Sequence, residues 1–333
     1  MLTGTSRVDG ARVARAPSTA PSEARRAATR PRRRSSPARR AEAAWGYALI
    51  APTGIGLAVF YLWPVLQTAY LSFTTSGPFG GPADWTGLAN YRRLAGDAEL
   101  GHALVNTLIY TALGLVGVPI AVFFAALLCR RGLRGVGAYR TLFFLPVVTT
   151  PVAVAMIWRW LYNGDYGIVN YLLSLVGIHG PHWIADPRTA LYALVVVGVW
   201  MSLGYNLVIF MAGIKSIPRD YYEAAALDGA GPVRQFLSIT VPLLSPSIFF
   251  VSVVSVIGSL QLFDLVYVIA GGGAARTNPA FPKTETIVYL FYSTAFQNND
   301  KGYGAAIAMV LLAVIVALTA IQFRLQRRWV HYA

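Results

Sequence analysis

Six long apolar segments constrain this chain more than any other feature of its sequence. A bilayer core of about 30 Å is crossed by about 20 helical residues, and backbone polar groups in lipid must be satisfied within the segment. The sequence therefore predicts an all-α polytopic membrane protein with six transmembrane helices. The predicted spans are residues 45–73, 103–128, 139–161, 190–214, 239–269 and 303–323.

The composition agrees with a membrane protein and raises one alternative. Hydrophobic residues make up 56% of the 333 residues and charged residues only 13%. The net charge of +14 would also suit a nucleic-acid-binding protein, but residues 1–44 hold eleven of the arginines against three acidic residues. Because this tail has few large apolar residues, we expect it to be disordered. It is expected to bind anionic membrane lipid, or only to set the topology, and no nucleic acid.

Loop charges predict the orientation of the spans. Of the 28 Lys and Arg residues, 21 fall in the tail, the C-terminus and the loops near 130–140 and 215–235. Positive loops stay in the cytoplasm, so both termini are predicted to be cytoplasmic in a multi-pass protein of the cytoplasmic (inner) membrane. The predicted organisation is a tail at 1–44, a permease domain at 45–328 and a short C-terminal tail at 329–333.

One polar segment interrupts the apolar pattern on the predicted cytoplasmic side. The Glu-Ala-Ala segment, residues 222–231, lies in a loop between the fourth and fifth spans that we call the coupling loop, residues 215–242. Its alanines are strong helix formers, and Gly229 can end a helix. Glu223 and Asp228 offer carboxylates to basic groups of a partner. Alone, the segment would favour an ordinary loop helix, but its continuation to Ile239 and Pro242 on the predicted cytoplasmic side favours a docking site.

The spacing of this segment resembles a known signature. From Glu223 to Gly229, Ile239 and Pro242 it is similar to the cytoplasmic motif of membrane subunits of ABC importers, with Val241 where Leu is usual. Four further motifs resemble the carbohydrate-uptake branch, with permeases of the maltose and glycerol-3-phosphate type. They are residues 142–146, 261–264, 271–273 and 302–306, and the resemblance covers about residues 45–328.

The resemblance implies the architecture of a type I importer permease and a set of partners. These are a second related permease subunit, two cytoplasmic ATPase subunits and an extracytoplasmic solute-binding protein. It also implies import of a sugar or oligosaccharide by alternating access, with the Glu-Ala-Ala helix seated in a cleft of the ATPase. The coupling residues it assigns are Tyr222, Glu223, Ala224, Ala225, Asp228, Gly229, Ala230, Ile239 and Pro242.

The sequence carries no catalytic motif. No phosphate-binding Gly-x-x-x-x-Gly-Lys-[Ser/Thr] loop occurs, so ATP hydrolysis is expected from partner subunits. None of the four histidines lies in a His-Glu-x-x-His motif, and Cys129 is the only cysteine. His179 and His182 with Asp186 offer an external metal site as an alternative, but a turn that carries two unrelated histidines is the favoured interpretation. We therefore expect no catalytic residue, no metal and no cofactor.

Polar side chains within the spans are candidates for the translocation pathway, because burying them in lipid is costly. Amides, hydroxyls and aromatic faces suit sugar hydroxyls. Hydrogen bonding between helices is an equally open alternative. The candidates are Tyr205, Asn206, Ser259, Gln261 and Tyr267.

Two rival functions are weighed against the importer. An ion-gradient-driven secondary transporter would place ionisable residues at the membrane midplane, and the spans lack deep carboxylates. A membrane-embedded enzyme would need a catalytic constellation inside the bundle, and none is visible.

Overall fold

A computed structural model describes residues 37–75, 84–130 and 135–330. Helices account for most of this part of the chain, which confirms the all-α class. The described residues divide into two compact units, with the boundary between Leu57 and Ala58.

The first unit contributes one described element, helix α1 (Pro37–Leu57). It begins inside the segment predicted to be a disordered tail, while residues 1–36 lie outside the described residues. Pro52 lies within α1, where helices in a bilayer tolerate proline if other groups satisfy the freed carbonyl.

In the second unit, a buried amide side chain bonds to the end of the first α-helix. A π-helical turn (Ala58–Leu62) leads into α2 (Trp63–Leu71), and a hairpin follows in which β1 (Thr74–Thr75) pairs antiparallel with β2 (Asp84–Trp85). Asn90, on α3 (Ala89–Ala95), is buried and donates its amide to the Ser72 and Thr74 carbonyls at 2.9 and 2.8 Å. The first bond satisfies a carbonyl at the end of α2, and the second joins α3 to β1.

The remaining helices form the body of the protein. They are α4 (Ala98–Gly114), α5 (Gly117–Leu128), α6 (Val136–Val148), α7 (Pro151–Leu161), α8 (Ile168–Ser174), α9 (Ala190–Ser216), α10 (Arg219–Leu227), α11 (Pro232–Gln235), α12 (Val241–Leu243), α13 (Ser245–Leu260), α14 (Asp264–Ala270), α15 (Phe281–Thr284), α16 (Ile287–Tyr292) and α17 (Lys301–Trp329). Short π-helical turns occupy Phe236–Thr240 and Ser293–Gln297, and a 3-10 turn occupies Gly272–Thr277.

Four helical stretches are long and apolar enough to cross a membrane: Ala44–Leu71, Ala98–Leu128, Ala190–Ser216 and Lys301–Trp329. Two bent pairs raise the number to six if each pair counts as one span. The first pair joins α6 to α7 through a bend of 102°, and the second joins Pro232–Leu243 to α13 through a bend of 67°. The six predicted segments match these spans.

Prolines at the bends and a break in the fifth span distinguish the structure from six uninterrupted helices. Both bends lie beside prolines, Pro151 at the start of α7 and Pro246 at the start of α13, where the ring removes a backbone donor. The predicted fifth segment, 239–269, is not one helix: α13 ends at Leu260, and α14 starts at Asp264 after a short break.

Helix α9 lies at the centre of the packing. Its buried residues join two apolar clusters, one with α7 and α14 through Leu194 and Val197, and one with α5 and α13 through Leu207 and Phe210. Each of these four side chains is at most 2% exposed. A third cluster, around Ile287 and Ile307, packs α16 and α17 against α4.

Gly204 permits a close approach of two helices in this core. A Cβ at this buried position would overlap the carbonyl oxygen of Phe143 on α6, so only glycine lets α6 and α9 meet there. We expect Gly204→Ala to destabilise the protein by about 1–3 kcal/mol, because the helices must move apart. The measurement is thermal unfolding of the detergent-purified chain.

Gly258→Ala is the matched control for that substitution. Gly258 lies in α13 with open space around its Cβ position. Alanine is about 1 kcal/mol better than glycine within a helix, so this variant should be neutral or slightly stabilising. Equal stability of the two variants would contradict the assigned packing.

Candidate functional site

The coupling loop folds as a short helix that leaves α9 at a sharp turn. Ile217, which is buried, follows the end of α9, and Pro218 caps α10 in an extended conformation. Asp220 lies in the first turn of α10, where a carboxylate interacts favourably with the helix dipole. The predicted Glu-Ala-Ala helix therefore exists, from Arg219 to Leu227.

Gly229 ends α10 through a Schellman motif. Its φ is +77°, a left-handed conformation that glycine adopts without strain. The Gly229 and Ala230 amides donate to the carbonyls of Ala226 and Ala225 at 3.0 and 2.9 Å. Two carbonyls at the helix end are thereby satisfied, and the chain turns toward the start of the fifth span.

The returning chain is tied to α10 by side-chain hydrogen bonds. Gln235 donates its amide to the Ala230 carbonyl at 2.9 Å, and the Tyr222 and Thr240 hydroxyls are 3.0 Å apart. Thr240 is buried at the end of the π-helical turn, and the partly buried Ile239 precedes it. Pro242 follows at the first turn of α12, where its missing N–H costs little. The helix thus contacts the start of the fifth span directly.

The outer face of the coupling loop combines charge with exposed apolar surface. Glu223, Ala224, Asp228 and Gly229 are exposed, whereas Tyr222, Ala225 and Ala230 are partly buried. The Leu227 side chain is 91% exposed, and Val233 and Leu237 are also exposed. Val233 and Leu237 line a groove with Gly231, Pro232, Arg234 and Ser238. Exposed apolar surface of this kind is typical of sites where another protein docks.

The structure separates the residues predicted to line a pathway. Asn206 is buried on α9 beside Leu207, while its neighbour Tyr205 is 44% exposed on another face. Ser259 is partly buried near the end of α13, and Gln261 is exposed at the break that follows it. Tyr267, on α14, stacks on Phe263 with ring centroids 5.3 Å apart. A role in a pathway stays a prediction for all five residues.

A second polar cluster, which we call the Glu285 cluster, was not predicted from the sequence. Glu285 follows α15 and is 4% exposed, and one of its carboxyl oxygens, Oε1, has no hydrogen-bond partner among the described residues. Arg276 pairs with Glu99, on the first turn of α4, at 2.8 Å. In the sequence, the only signal of this cluster is a single acidic residue, Glu285, between Thr284 and Thr286. That signal does not reveal that Arg276 pairs with Glu99, 177 residues away.

Burial and neighbouring carboxylates hold Glu285 close to neutrality. The pKa of Glu285 is raised to about 7, mainly by burial and to a lesser extent by the Glu99 and Asp97 carboxylates, while the Arg276 guanidinium lowers it. The residue lies between the fifth and sixth spans, outside the membrane-spanning helices. Its charge therefore changes near neutral pH.

This pKa predicts a pH-dependent stability. The pKa of the folded state exceeds the ordinary value of 4.5, so stability is full below about pH 4.5 and falls as the pH rises through about 7. We expect Glu285→Gln to remove that loss, on the order of 1–3 kcal/mol. The measurement is the difference in thermal unfolding between wild type and variant at pH 5 and pH 8. Parallel pH profiles for the two proteins would show that Glu285 does not titrate in this range.

Comparison with known proteins finds one matching family and similar permease proteins. The family described as "Binding-protein-dependent transport system inner membrane component" matches residues 117–331. The sn-glycerol-3-phosphate transport system permease protein UgpA of Agrobacterium fabrum is 34% identical over 290 residues, covering 86% of this chain and 96% of that protein. The relative named "Probable ABC transporter permease protein YesP", from Bacillus subtilis, is 37% identical over 295 residues, covering 86% and 92%.

A solved structure has the same fold. A chain of a bacterial ABC transporter involved in the import of the acidic polysaccharide alginate superposes with a TM-score of 0.75 at 22% identity, covering 86% of this chain and 96% of that one. The same alginate transporter in complex with an alginate pentasaccharide-bound periplasmic protein gives a TM-score of 0.75 at 20% identity.

Proposed function

This chain belongs to the family of inner-membrane components of binding-protein-dependent transport systems, and on that premise we propose that it imports a sugar or oligosaccharide. It is an ABC-type permease, and the family assignment excludes the ion-gradient-driven alternative. We propose that it lies in the cytoplasmic membrane with both termini in the cytoplasm, as the loop charges favour.

The coupling loop is the observation that carries the proposal. Leu227 is 91% exposed on a polar helix, so it contributes little to the stability of this chain alone. An exposed leucine of this kind favours a partner protein that covers it. Around that leucine the exposed carboxylates of Glu223 and Asp228 offer charge-assisted hydrogen bonds to basic groups. A cytoplasmic ATPase subunit is the partner that fits, because this chain has no phosphate-binding loop of its own.

The proposed complex contains a second related permease, two ATPase subunits and an extracytoplasmic solute-binding protein. The family's description names binding-protein-dependent transport, and a structural neighbour was solved with a periplasmic protein bound. A saccharide solute is supported by the neighbour involved in the import of the polysaccharide alginate, and a polyhydroxylated solute by relatives named for the transport of the polyol phosphate sn-glycerol-3-phosphate.

The internal contacts of the coupling loop support a mechanism. Movement of α10 reaches the fourth span through the peptide chain at Ile217 and Pro218. It reaches the fifth span through the Tyr222–Thr240 hydroxyl pair, 3.0 Å apart. Leu244, which is 1% exposed, packs this end of the fifth span against Phe210 and Met211 of α9. When the ATPase dimer closes, the ends of both spans are displaced together.

Glu223→Lys tests the docking role. The substitution reverses an exposed charge, so we expect normal insertion and folding but loss of the solute-stimulated ATPase activity of the reconstituted complex. Glu42→Lys, the same charge reversal at an exposed position of α1, is the control and should retain activity. Full solute-stimulated ATPase activity in Glu223→Lys would refute the proposed docking.

Tyr222→Phe tests the transmission of movement. Loss of the hydroxyl pair removes a hydrogen bond of about 1 kcal/mol, so we expect ATP hydrolysis to persist while solute uptake per ATP falls about two- to fivefold. Thr240→Val should act alike, and the double variant should add little to either single change. Tyr221→Phe, next to it on α10, is the control. Additive effects of the two substitutions would contradict a shared contact.

A further inference from the structure

An apolar surface lies at the end of the bundle opposite the coupling loop. The outer loop, as we call residues 162–189, joins α7 to α9 and contains α8. Because α9 has 27 residues and is about 40 Å long, the outer loop at its start and the coupling loop at its end lie on opposite sides of the bilayer. From residue 166 to residue 185 the sequence contains no Asp, Glu, Lys or Arg. An average soluble sequence would carry about five charged residues in such a stretch.

Exposed apolar side chains form one face of this loop. Four of them lie at positions i, i+1, i+4 and i+5 of α8 and the turn that ends it, and therefore share one side of the helix. They are Tyr171, Leu172, Leu175 and Val176, each between 57% and 71% exposed. We call these four residues the α8 face.

The polar side of α8 points toward the protein instead. The partly buried Asn170 side chain donates to the Gly164 and Pro181 carbonyls at 2.9 and 3.1 Å. It also accepts a hydrogen bond from the Trp183 indole N–H at 2.6 Å. Turning α8 over to hide its apolar face would expose Asn170 and break these bonds. The loop is therefore built with its polar side inward and its apolar side outward, the reverse of a surface made for water.

The outer loop is fixed to the bundle by packing and hydrogen bonds. Trp183 packs on Tyr162, a member of the apolar cluster of α7, α9 and α14, with ring centroids 5.9 Å apart. The Asn278 amide donates to the Ile184 carbonyl at 3.0 Å, and the Thr189 hydroxyl donates to the Trp183 carbonyl at 3.1 Å. Whatever covers the α8 face therefore also holds the adjoining ends of the third and fourth spans.

The helix that leads into the outer loop indicates a lipid cover. Helix α7 belongs to a bent membrane span. Its Met156, Ile157 and Trp160 side chains are 52–62% exposed, so exposed apolar residues run along the chain from the span into the loop. Trp160 and the exposed Tyr166 stand where the span gives way to the loop. Amphipathic aromatic side chains are enriched at this level, where they meet lipid headgroups.

A protein partner fits the α8 face less well than lipid does. The residues that dominate protein interfaces are Trp, Tyr and Arg, whereas Leu and Val are under-represented among them. Three of the four residues of the α8 face are Leu or Val, and the sequence from 166 to 185 has no charged side chain to supply the polar rim of an interface. Leu and Val do transfer favourably into a bilayer.

We propose that the outer loop is a membrane-interface anchor, with α8 parallel to the membrane surface and the α8 face among the lipid headgroups and the first acyl-chain carbons. Apolar faces of this kind lie about 5–10 Å into the boundary between headgroups and acyl chains. Since residues 166–185 include no basic residue, the loop should bind neutral and anionic phospholipid alike. The anchor goes beyond the proposed import function and does not depend on the solute.

Spin-label accessibility tests the anchor. In a Cys129→Ser background, Leu175→Cys or Val176→Cys carries a nitroxide, and the protein is placed in phosphatidylcholine nanodiscs with its copurifying subunits, made free of cysteine. Collision rates are measured with oxygen, which concentrates in lipid, and with a nickel chelate, which stays in water. We expect the ratio of oxygen to nickel collisions at both positions to exceed that at Asp165→Cys about threefold or more, because the labels lie about 5–10 Å into the boundary.

Reference sites and a second lipid mixture complete the test. Asp165→Cys and Arg188→Cys, exposed at the two charged ends of the outer loop, mark water. Replacing half of the lipid by phosphatidylglycerol should change the ratio at 175 and 176 by less than about twofold, because the loop has no basic residue in its charge-free stretch.

Three results would overturn the anchor. A ratio at 175 and 176 no higher than at 165 would place the α8 face in water. Nitroxides that are immobilised and shielded from both reagents would place it under a protein subunit. A raised ratio found only in the anionic bilayer would show attraction by charge instead of apolar contact. The two sites are adjacent, so either one decides the question if the other variant does not assemble.

Discussion

Every backbone polar group within a lipid bilayer needs a partner from the protein itself, and the structure of this chain depends on that constraint. Where helices break, side chains supply the missing partners. At the 102° bend before α7 the Thr149 hydroxyl donates to the Leu145 carbonyl, and the Thr150 hydroxyl accepts from the Ala153 amide. At the break in the fifth span the Thr286 hydroxyl donates to the Leu262 carbonyl at 2.9 Å. Side chains of the protein therefore satisfy backbone groups at the 102° bend and at the break in the fifth span.

The same constraint explains why the coupling loop stands out. Outside the bilayer, water and partner proteins can satisfy polar groups, so α10 can be short and can end in a left-handed glycine. Its inner side is bonded to the fifth span through Tyr222 and Thr240, while its outer side leaves Leu227 uncovered. One element thus contacts the membrane helices on one side and offers a surface to a partner on the other.

Local patterns allowed much of this to be predicted from the sequence. The lengths of the apolar segments predicted the six spans, and the alanines followed by Gly229 predicted a helix with a defined end. Such local patterns do not predict contacts between residues that are distant in the sequence. The Arg276–Glu99 pair joins residues 177 apart, and the Tyr222–Thr240 pair joins residues on two elements 18 apart. The break at residues 261–263 was not predicted, because isolated polar residues such as Gln261 and Asp264 also occur within continuous transmembrane helices. Which polar residues meet a solute depends on chains that this sequence does not contain.

The central claim is that the coupling loop is the contact with an ATP-hydrolysing subunit. Photocrosslinking from a benzoylphenylalanine placed at Leu227 tests it most directly, with Tyr166 in the loop after α7, 67% exposed, as the comparison site. The account predicts a crosslink from position 227 to the ATPase subunit in the active, membrane-embedded complex, and none from position 166. An active complex in which position 227 crosslinks only to lipid, or to a subunit without ATPase activity, would contradict it.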